Sequence, residues 1–340
     1  MNKIESTALK IKPRSLHSLE DMYKSIREDL SLVEKQLKLF LRSTNPLISQ
    51  IGNYLFKKSG KRIRPALLIL CSKLFGYGGK DHILTSTLVE TIHTASLIHD
   101  DIIDNSDTRR GQNSVHSVWG PNITVLLGDY IYIKSIGLSI KNCPAEIIQI
   151  LTDVSARMIE GELEEYYMSG NLNISEHNYL NIIEKKTAAL FSAACRIGAI
   201  HGEADNNEKS SLEKYGLNIG MSFQIIDDLL DFTGDQKKMG KPILSDLSEG
   251  RITLPLIYSL NNNGKNARKR LKELLAQKTL EKNSKEEVLE ILHGNGALTY
   301  MTQKAKEFSQ KAIEIVIRFP ESIFREALLT LPDYILSRNT

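Results

Sequence analysis

Residues 83–104 read ILTSTLVETIHTASLIHDDIID, and residues 213–232 read EKYGLNIGMSFQIIDDLLDF. Neither contains proline, and both are mostly apolar or small. Helices of that composition belong in the middle of a bundle. Each nevertheless closes on carboxylates, Asp100-Asp101-Ile-Ile-Asp104 and Asp227-Asp228-Leu-Leu-Asp231. A buried helix avoids such groups unless something offsets their charge. Outward from these two stretches, helical patterning continues. Leu19, Met22, Ile26, Leu30, Val33, Leu37 and Phe40 recur every three or four residues from Ser18 to about Leu41. Similar patterns lie at about 66–75, 122–140, 145–168, 177–203, 252–262, 267–276, 283–293, 296–318 and 321–338. Breaks fall on turn chemistry such as Gly76-Tyr-Gly-Gly, Asn142-Cys-Pro144 and Asn261-Asn-Asn-Gly264. No stretch alternates with period two long enough to be a strand, and no solenoid repeat or linker is visible. The expectation is all-α: one large domain of ten or more helices over 17–340, with residues 1–16 flexible.

Composition removes several classes of function. The chain has 340 residues, 41% hydrophobic and 25% charged, which excludes a disordered polymer. Lys+Arg at 44 against Asp+Glu at 41 leaves +3, so no nucleic-acid partner is expected. No run is read as the roughly 20 apolar residues of a membrane span, so no stable membrane anchor is expected. Met1–Ser6 carries a Lys but no apolar core of a secretory signal. Cys71, Cys143 and Cys195 are odd in number and far apart. They make neither a disulfide framework nor a metal site, and a cytoplasmic setting is the simplest.

On a helix, Asp100 and Asp104 share a face, as do Asp227 and Asp231. Like charges at that spacing repel. One such trio reads equally well as a solvated helix end paired with Lys or Arg. Two trios, each ending an apolar helix, point instead to a bound cation. Oxygen-only ligands favour a hard ion, and few carboxylates plus water suit Mg²⁺ that also bridges phosphate oxygens. Three basic groups suit the implied anion: Lys61 and Arg64 just before Pro65, Arg109-Arg110 after the first trio, and Lys185-Lys186-Thr187 in an apolar region. His93 lies two turns before Asp100, on its face; a core histidine is the plain alternative. Lys57-Lys58 and the run Lys265 to Lys272 read as solvated surface.

Together these motifs resemble the trans-isoprenyl diphosphate synthase (polyprenyl synthetase) family. The carrying segments are GKRIRP (60–65), ETIHTASLIHDDIIDNSDTRRG (90–111), GDY (128–130), EGE (160–162), KTA (186–188), FQIIDDLLD (223–231) and GKPILSDLSEGRITLP (240–255). The resemblance implies a bundle of isoprenoid synthase type around a central cavity, usually a homodimer. It implies head-to-tail condensation of isopentenyl diphosphate with an allylic diphosphate. Asp100, Asp104 and Asp227 would hold two to three Mg²⁺ ions per active site, with Asp101, Asp228, Asp231 and Lys186 also catalytic. Arg109, Lys186, Thr187, Gln224 and Lys241 would contact the allylic diphosphate. Lys61, Arg64, His93 and Arg110 would hold isopentenyl diphosphate. The segment Gly234 to Gly250 is a candidate lid. Leu244, Arg251 and Glu165 depart from the family's usual glycine, lysine and glutamine.

In the family, aromatic side chains four and five residues before the first aspartate limit chain growth. Here those residues are Ser96 and Ala95, which leaves a tunnel open and favours a long-chain product of the quinone side-chain kind. Tyr132, Ile133 and Ile136 are candidates for the floor. Competing readings are a shorter-chain (farnesyl or geranylgeranyl) synthase, a class I terpene cyclase, a non-catalytic subunit of a heteromeric synthase and a helical metal-binding protein. A cyclase carries a different second metal motif, and a dead subunit loses aspartates or the Lys61/Arg64 pair.

Overall fold

The computed structural model describes residues 18–57, 60–109, 111–234, 244–277 and 281–338. The expected flexible segment 1–16 lies outside them. The helices, in chain order, are α1 (Leu19–Tyr23), α2 (Arg27–Phe40), α3 (Pro46–Leu55), α4 (Ile63–Leu74), α5 (Asp81–Ile103), α6 (Val115–Trp119), α7 (Pro121–Asn142), α8 (Ala145–Met168) and α9 (Glu176–Ile183). There follow α10 (Ala189–His201), α11 (Asn206–Thr233), α12 (Ser245–Ser248), α13 (Leu254–Asn262), α14 (Lys265–Leu275), α15 (Lys282–Gly294), α16 (Ala297–Val316) and α17 (Ile323–Ser337). Strand among the described residues is confined to β1 (Thr108–Arg109) and β2 (Gln112–Asn113). They form an antiparallel hairpin that pairs Thr108 with Asn113 and Arg109 with Gln112. The all-α expectation is met.

Differences from the sequence reading have local causes. The single helix expected over 18–41 is split by a 3₁₀ turn at Lys24–Ile26. Helix α3, unseen in the apolar pattern, is set by its ends: Asn45 accepts the Leu47 N–H and Pro46 opens the first turn. Helix α4 begins at Ile63, two residues ahead of Pro65, so Arg64 stands on its first turn. Helix α7 is long and apolar enough to cross a membrane, with mean hydropathy 1.4 and a third of that window buried, although its sequence was not read as a span.

Helices α4, α5, α10 and α11 form the centre. Ala66 to Cys71 of α4 and most of α10 are fully buried. Helix α11 packs along α10 and α16, and α5 packs on α4 and α7. The helix expected over 177–203 is interrupted at Glu184–Ala188 by a π-helical turn, a device common where a helix carries function. Two glycines let neighbouring helices pinch this turn. A Cβ on Gly161 of α8 would stand 2.7 Å from the Lys186 backbone nitrogen, and one on Gly220 of α11 would stand 2.5 Å from the Ala188 Cα. Lys186 and Thr187 are therefore presented by backbone that touches both flanking helices.

Leu244 has φ +62°, in the left-handed region where a side chain is strained, and is fully buried. This is the position where the family usually has glycine. Its N–H donates to the Asp231 carbonyl at 3.0 Å, which joins the start of α12 to the end of α11. Leu244→Ala keeps the strain and loses the buried side chain, an expected cost of about 2–4 kcal/mol. Leu244→Gly loses the same contacts but relieves the strain, so its cost is about 1 kcal/mol less. Urea unfolding of both variants checks this order, which is the reverse of the order by side-chain size.

Candidate active site

A cavity of ≈ 700 Å³ lies between the start of α4, the second half of α5, α8, the π-turn and α11. Asp100 and Asp227, one from each acidic trio, both line it. So do the cations Lys61, Arg64, Arg109 and Lys186, and the polar groups His93, Ser96, Thr187 and Gln224. Met158, Leu163, Tyr132 and Phe223 supply apolar wall. Segments far apart in sequence thus meet around one space. Arg110 and Lys241 lie outside the described residues, as does 235–243 of the expected lid.

The other four aspartates are turned elsewhere. Asp101 is buried and accepts from Arg109 Nε at 2.7 Å. Asp104, at the end of α5, faces Arg251 Nη1 at 3.4 Å instead of sharing the cavity wall with Asp100. Asp228 is buried and accepts from Tyr179 at 2.6 Å and from Gln224 Nε2 at 2.7 Å. Asp231 accepts the Ser245 N–H at 3.0 Å, the Ser245 hydroxyl at 2.6 Å and the Asp246 N–H at 3.3 Å. It caps α12 and so pins the described end of the expected lid. Of the chain-length pair, Ser96 lines the cavity while Ala95 is fully buried in the core and lies off its wall. Of the expected floor, Tyr132 lines the cavity. Ile133 is 74% exposed and is not on the cavity wall, and Ile136 packs on a separate apolar cluster.

Several residues of the site were not assigned from sequence. Arg251 reaches Asp104, Asp246 (3.3 Å), Glu249 and Glu165 (3.8 Å), so a guanidinium stands between the first acidic trio and α12. Lys186 pairs with Glu162 at 2.6 Å and with Glu165, both on α8. Arg338 binds Asp227 at 2.6 Å and lies 4.9 Å over the Phe223 ring, which brings the last turn of the chain to the cavity. Arg62, with φ +52°, is buried between Glu34 and Glu90, each at 2.5 Å. It anchors the loop while Lys61 and Arg64 on either side face the cavity. Only EGE (160–162) hinted at Glu162. The rest depend on long-range packing.

Burial dominates the electrostatics. It pushes the Asp100 carboxyl up to about 7, against the lowering influence of Lys186 and Arg109. Asp227 is also raised by burial, although Arg338, Lys61 and Arg64 oppose it. Lys186 stays firmly charged: burial works against its charge, but Glu165, Asp100 and Glu162 outweigh it. Two under-compensated carboxylates on one cavity suit a hard cation held by oxygen, which fits Mg²⁺. Among the described residues no three acidic, thiol or imidazole groups converge into a closed metal cage.

A sequence model of the polyprenyl synthetase family matches residues 45–292. The chain belongs to the polyprenyl synthetase family. It is therefore a prenyltransferase that acts on isoprenoid diphosphates. The octaprenyl diphosphate synthase of Haemophilus influenzae is 34% identical over 329 residues, 97% of this chain and 100% of that protein. The short chain isoprenyl diphosphate synthase of Methanothermobacter thermautotrophicus is 33% identical over 318 residues, 92% of this chain and 97% of that protein. The crystal structure of a Caulobacter crescentus polyprenyl synthase, complexed with calcium and isoprenyl diphosphate, superposes with TM-score 0.90 at 31% identity. That match covers 96% of this chain and 100% of the other.

In metal-free protein, the folded state binds the Asp100 proton more tightly than the unfolded chain between pH 3.8 and about 7. Stability contributed at this site is therefore lost as pH rises through that window. Asp100→Asn removes the effect. In EDTA at pH 8 its Tm is expected several degrees above that of the parent, with the gap gone near pH 4. Thermal melts at both pH values check the sign.

Proposed function

We propose that this prenyltransferase is Mg²⁺-dependent. It condenses isopentenyl diphosphate head to tail with an allylic diphosphate, repeatedly, to give a long-chain all-trans polyprenyl diphosphate. One observation carries the reading: a carboxylate from each acidic trio and cations from three separate segments line the same ≈ 700 Å³ cavity.

Asp100, Asp104 and Asp227 would hold the Mg²⁺ ions, two to three per site. Bound there, the ions would neutralise the charge that develops on the leaving diphosphate. Arg109, Lys186, Thr187 and Gln224, with Lys241, supply further positive charge and donors to that group. For Lys186 this means exchanging Glu162 and Glu165 for phosphate oxygens. Lys61, Arg64 and His93, with Arg110, hold the diphosphate of the second substrate, which places its double bond for attack on the allylic cation. Met158, Leu163, Phe223 and Tyr132 keep water from the cation. The double bond is the nucleophile and the released diphosphate accepts the departing proton, so neither a protein nucleophile nor a protein base is required.

Ser96 supports the long-chain assignment, because a small side chain on the wall one turn before Asp100 leaves room for a growing tail. The relatives named above include both long- and short-chain enzymes, so cavity shape is the discriminator. The three cysteines are free thiols, which fits a reducing, cytoplasmic setting.

We further infer a homodimer. Leu126, Ile133 and Ile140 of α7, at seven-residue spacing, are 68%, 74% and 62% exposed, and Tyr166 and Tyr167 of α8 add further exposed apolar surface. A second copy would cover it.

Incubation with farnesyl diphosphate, labelled isopentenyl diphosphate and Mg²⁺ should give products beyond C20 by chromatography. A product that stops at C20 would assign the short-chain activity, and none at all would remove the reading. Ser96→Phe should shorten the product by several isoprene units. Ile133→Glu should halve the mass seen by sedimentation; an unchanged mass would refute the α7 interface.

A further inference from the structure

Tyr179 is 4% exposed, on α9, and forms no part of the wall of the main cavity. Its hydroxyl donates to Asp228 Oδ2 at 2.6 Å. The other Asp228 oxygen accepts from Gln224 Nε2 at 2.7 Å, and the Gln224 carbonyl oxygen accepts from the Thr187 hydroxyl at 2.8 Å. Thr187 and Gln224 line the main cavity; Tyr179 and Asp228 stand behind them, beside a smaller space of ≈ 100 Å³ shared with Asp246 and Arg251.

The charges separate Asp228 from its neighbours. Asp101, Asp104 and Asp227 each have an arginine within 4 Å. Asp228 has none among the described residues and is held by two neutral donors. Two hydrogen bonds, one on each oxygen, fix the direction of this buried carboxyl group. The tyrosine hydroxyl has a matching oddity. A ring so deeply buried would pack more cheaply as phenylalanine, unless its O–H bond has a use.

We propose that Tyr179 is a positioning residue for the divalent-ion chemistry: its hydroxyl fixes Asp228, and through Asp228, Gln224 and Thr187 it orders the diphosphate-facing wall. This rests on the metal-dependent reading above. Tyr179 itself touches neither substrate nor ion. It acts from α9 on α11, two elements that the sequence keeps 49 residues apart at these positions.

The test uses the full chain and Mn²⁺ as the probe, with its binding followed by electron paramagnetic resonance in the presence of unreactive farnesyl thiolodiphosphate. Tyr179→Phe should weaken Mn²⁺ binding and lower kcat by about tenfold each, with KM for isopentenyl diphosphate unchanged. Asp228→Asn should show a comparable loss. In the Asp228→Asn background, adding Tyr179→Phe should cost nothing more, because the two act through one bond. Unchanged Mn²⁺ binding in Tyr179→Phe would overturn the proposal, as would additive losses in the double variant. If Tyr179→Phe alone failed to fold, the double variant, which lacks the buried carboxyl group, should fold and bind Mn²⁺ as Asp228→Asn does; weaker binding or a second failure to fold would also overturn it. Parent protein that turns over no isopentenyl diphosphate would instead refute the enzymatic reading, which keeps the two failures apart.

Discussion

Charge compensation inside a helical bundle is the constraint that organises this protein. Two central helices carry six aspartates into a partly dry interior, where an unpaired carboxylate costs several kcal/mol. Each is met differently. Arg109 takes Asp101, Arg251 takes Asp104, Arg338 takes Asp227, α12 gives its first N–H groups to Asp231, and Tyr179 with Gln224 holds Asp228. Among the described residues Asp100 has no direct partner of this kind, and burial pushes its carboxyl up to about 7. The resting centre thus balances itself with side chains that an ion and a diphosphate can replace.

The backbone around that centre bends to serve it. The π-turn at 184–188 sits where Gly161 and Gly220 let α8 and α11 close on it, which fixes Lys186 and Thr187 against both. Arg62 takes a left-handed conformation so that its guanidinium reaches Glu34 and Glu90 while Lys61 and Arg64 face the cavity. Leu244 accepts the same kind of strain where α12 meets Asp231. Strain of this sort persists only when the surroundings over-determine it. In each case the compensating contact is a buried ion pair or a helix cap.

The outer face has a separate logic. Helix α7 buries one side against α5 and leaves Leu126, Ile133 and Ile140 uncovered. The same apolar character that gives α7 its membrane-like hydropathy is what a subunit interface needs. Ile133, expected at the tunnel floor, belongs to this outer stripe, because successive helical side chains are about 100° apart and Tyr132 is the one that lines the cavity.

The all-helical architecture was legible in the sequence because it follows from local periodicity and breakers. The acidic trios, Lys61, Arg64, His93, Arg109 and Lys186 stood out in the sequence as polar groups in or beside apolar segments, whereas Gln224 was singled out only through the family resemblance. Short helices α3 and α6 and the 108–113 hairpin were not, since caps and tertiary contacts set them rather than a repeating pattern. The partners of the aspartates were not legible either. Arg338 lies 111 positions from Asp227 and Arg251 lies 147 from Asp104. Ion-pair geometry across such separations exists only once the chain has packed. Sequence alone therefore determined which unusual charged groups the apolar helices carry. The tertiary structure decided which of them share one cavity, which turn away, and which cations hold the charges meanwhile, because electrostatic and hydrogen-bond energies depend on distance and burial rather than on order along the chain.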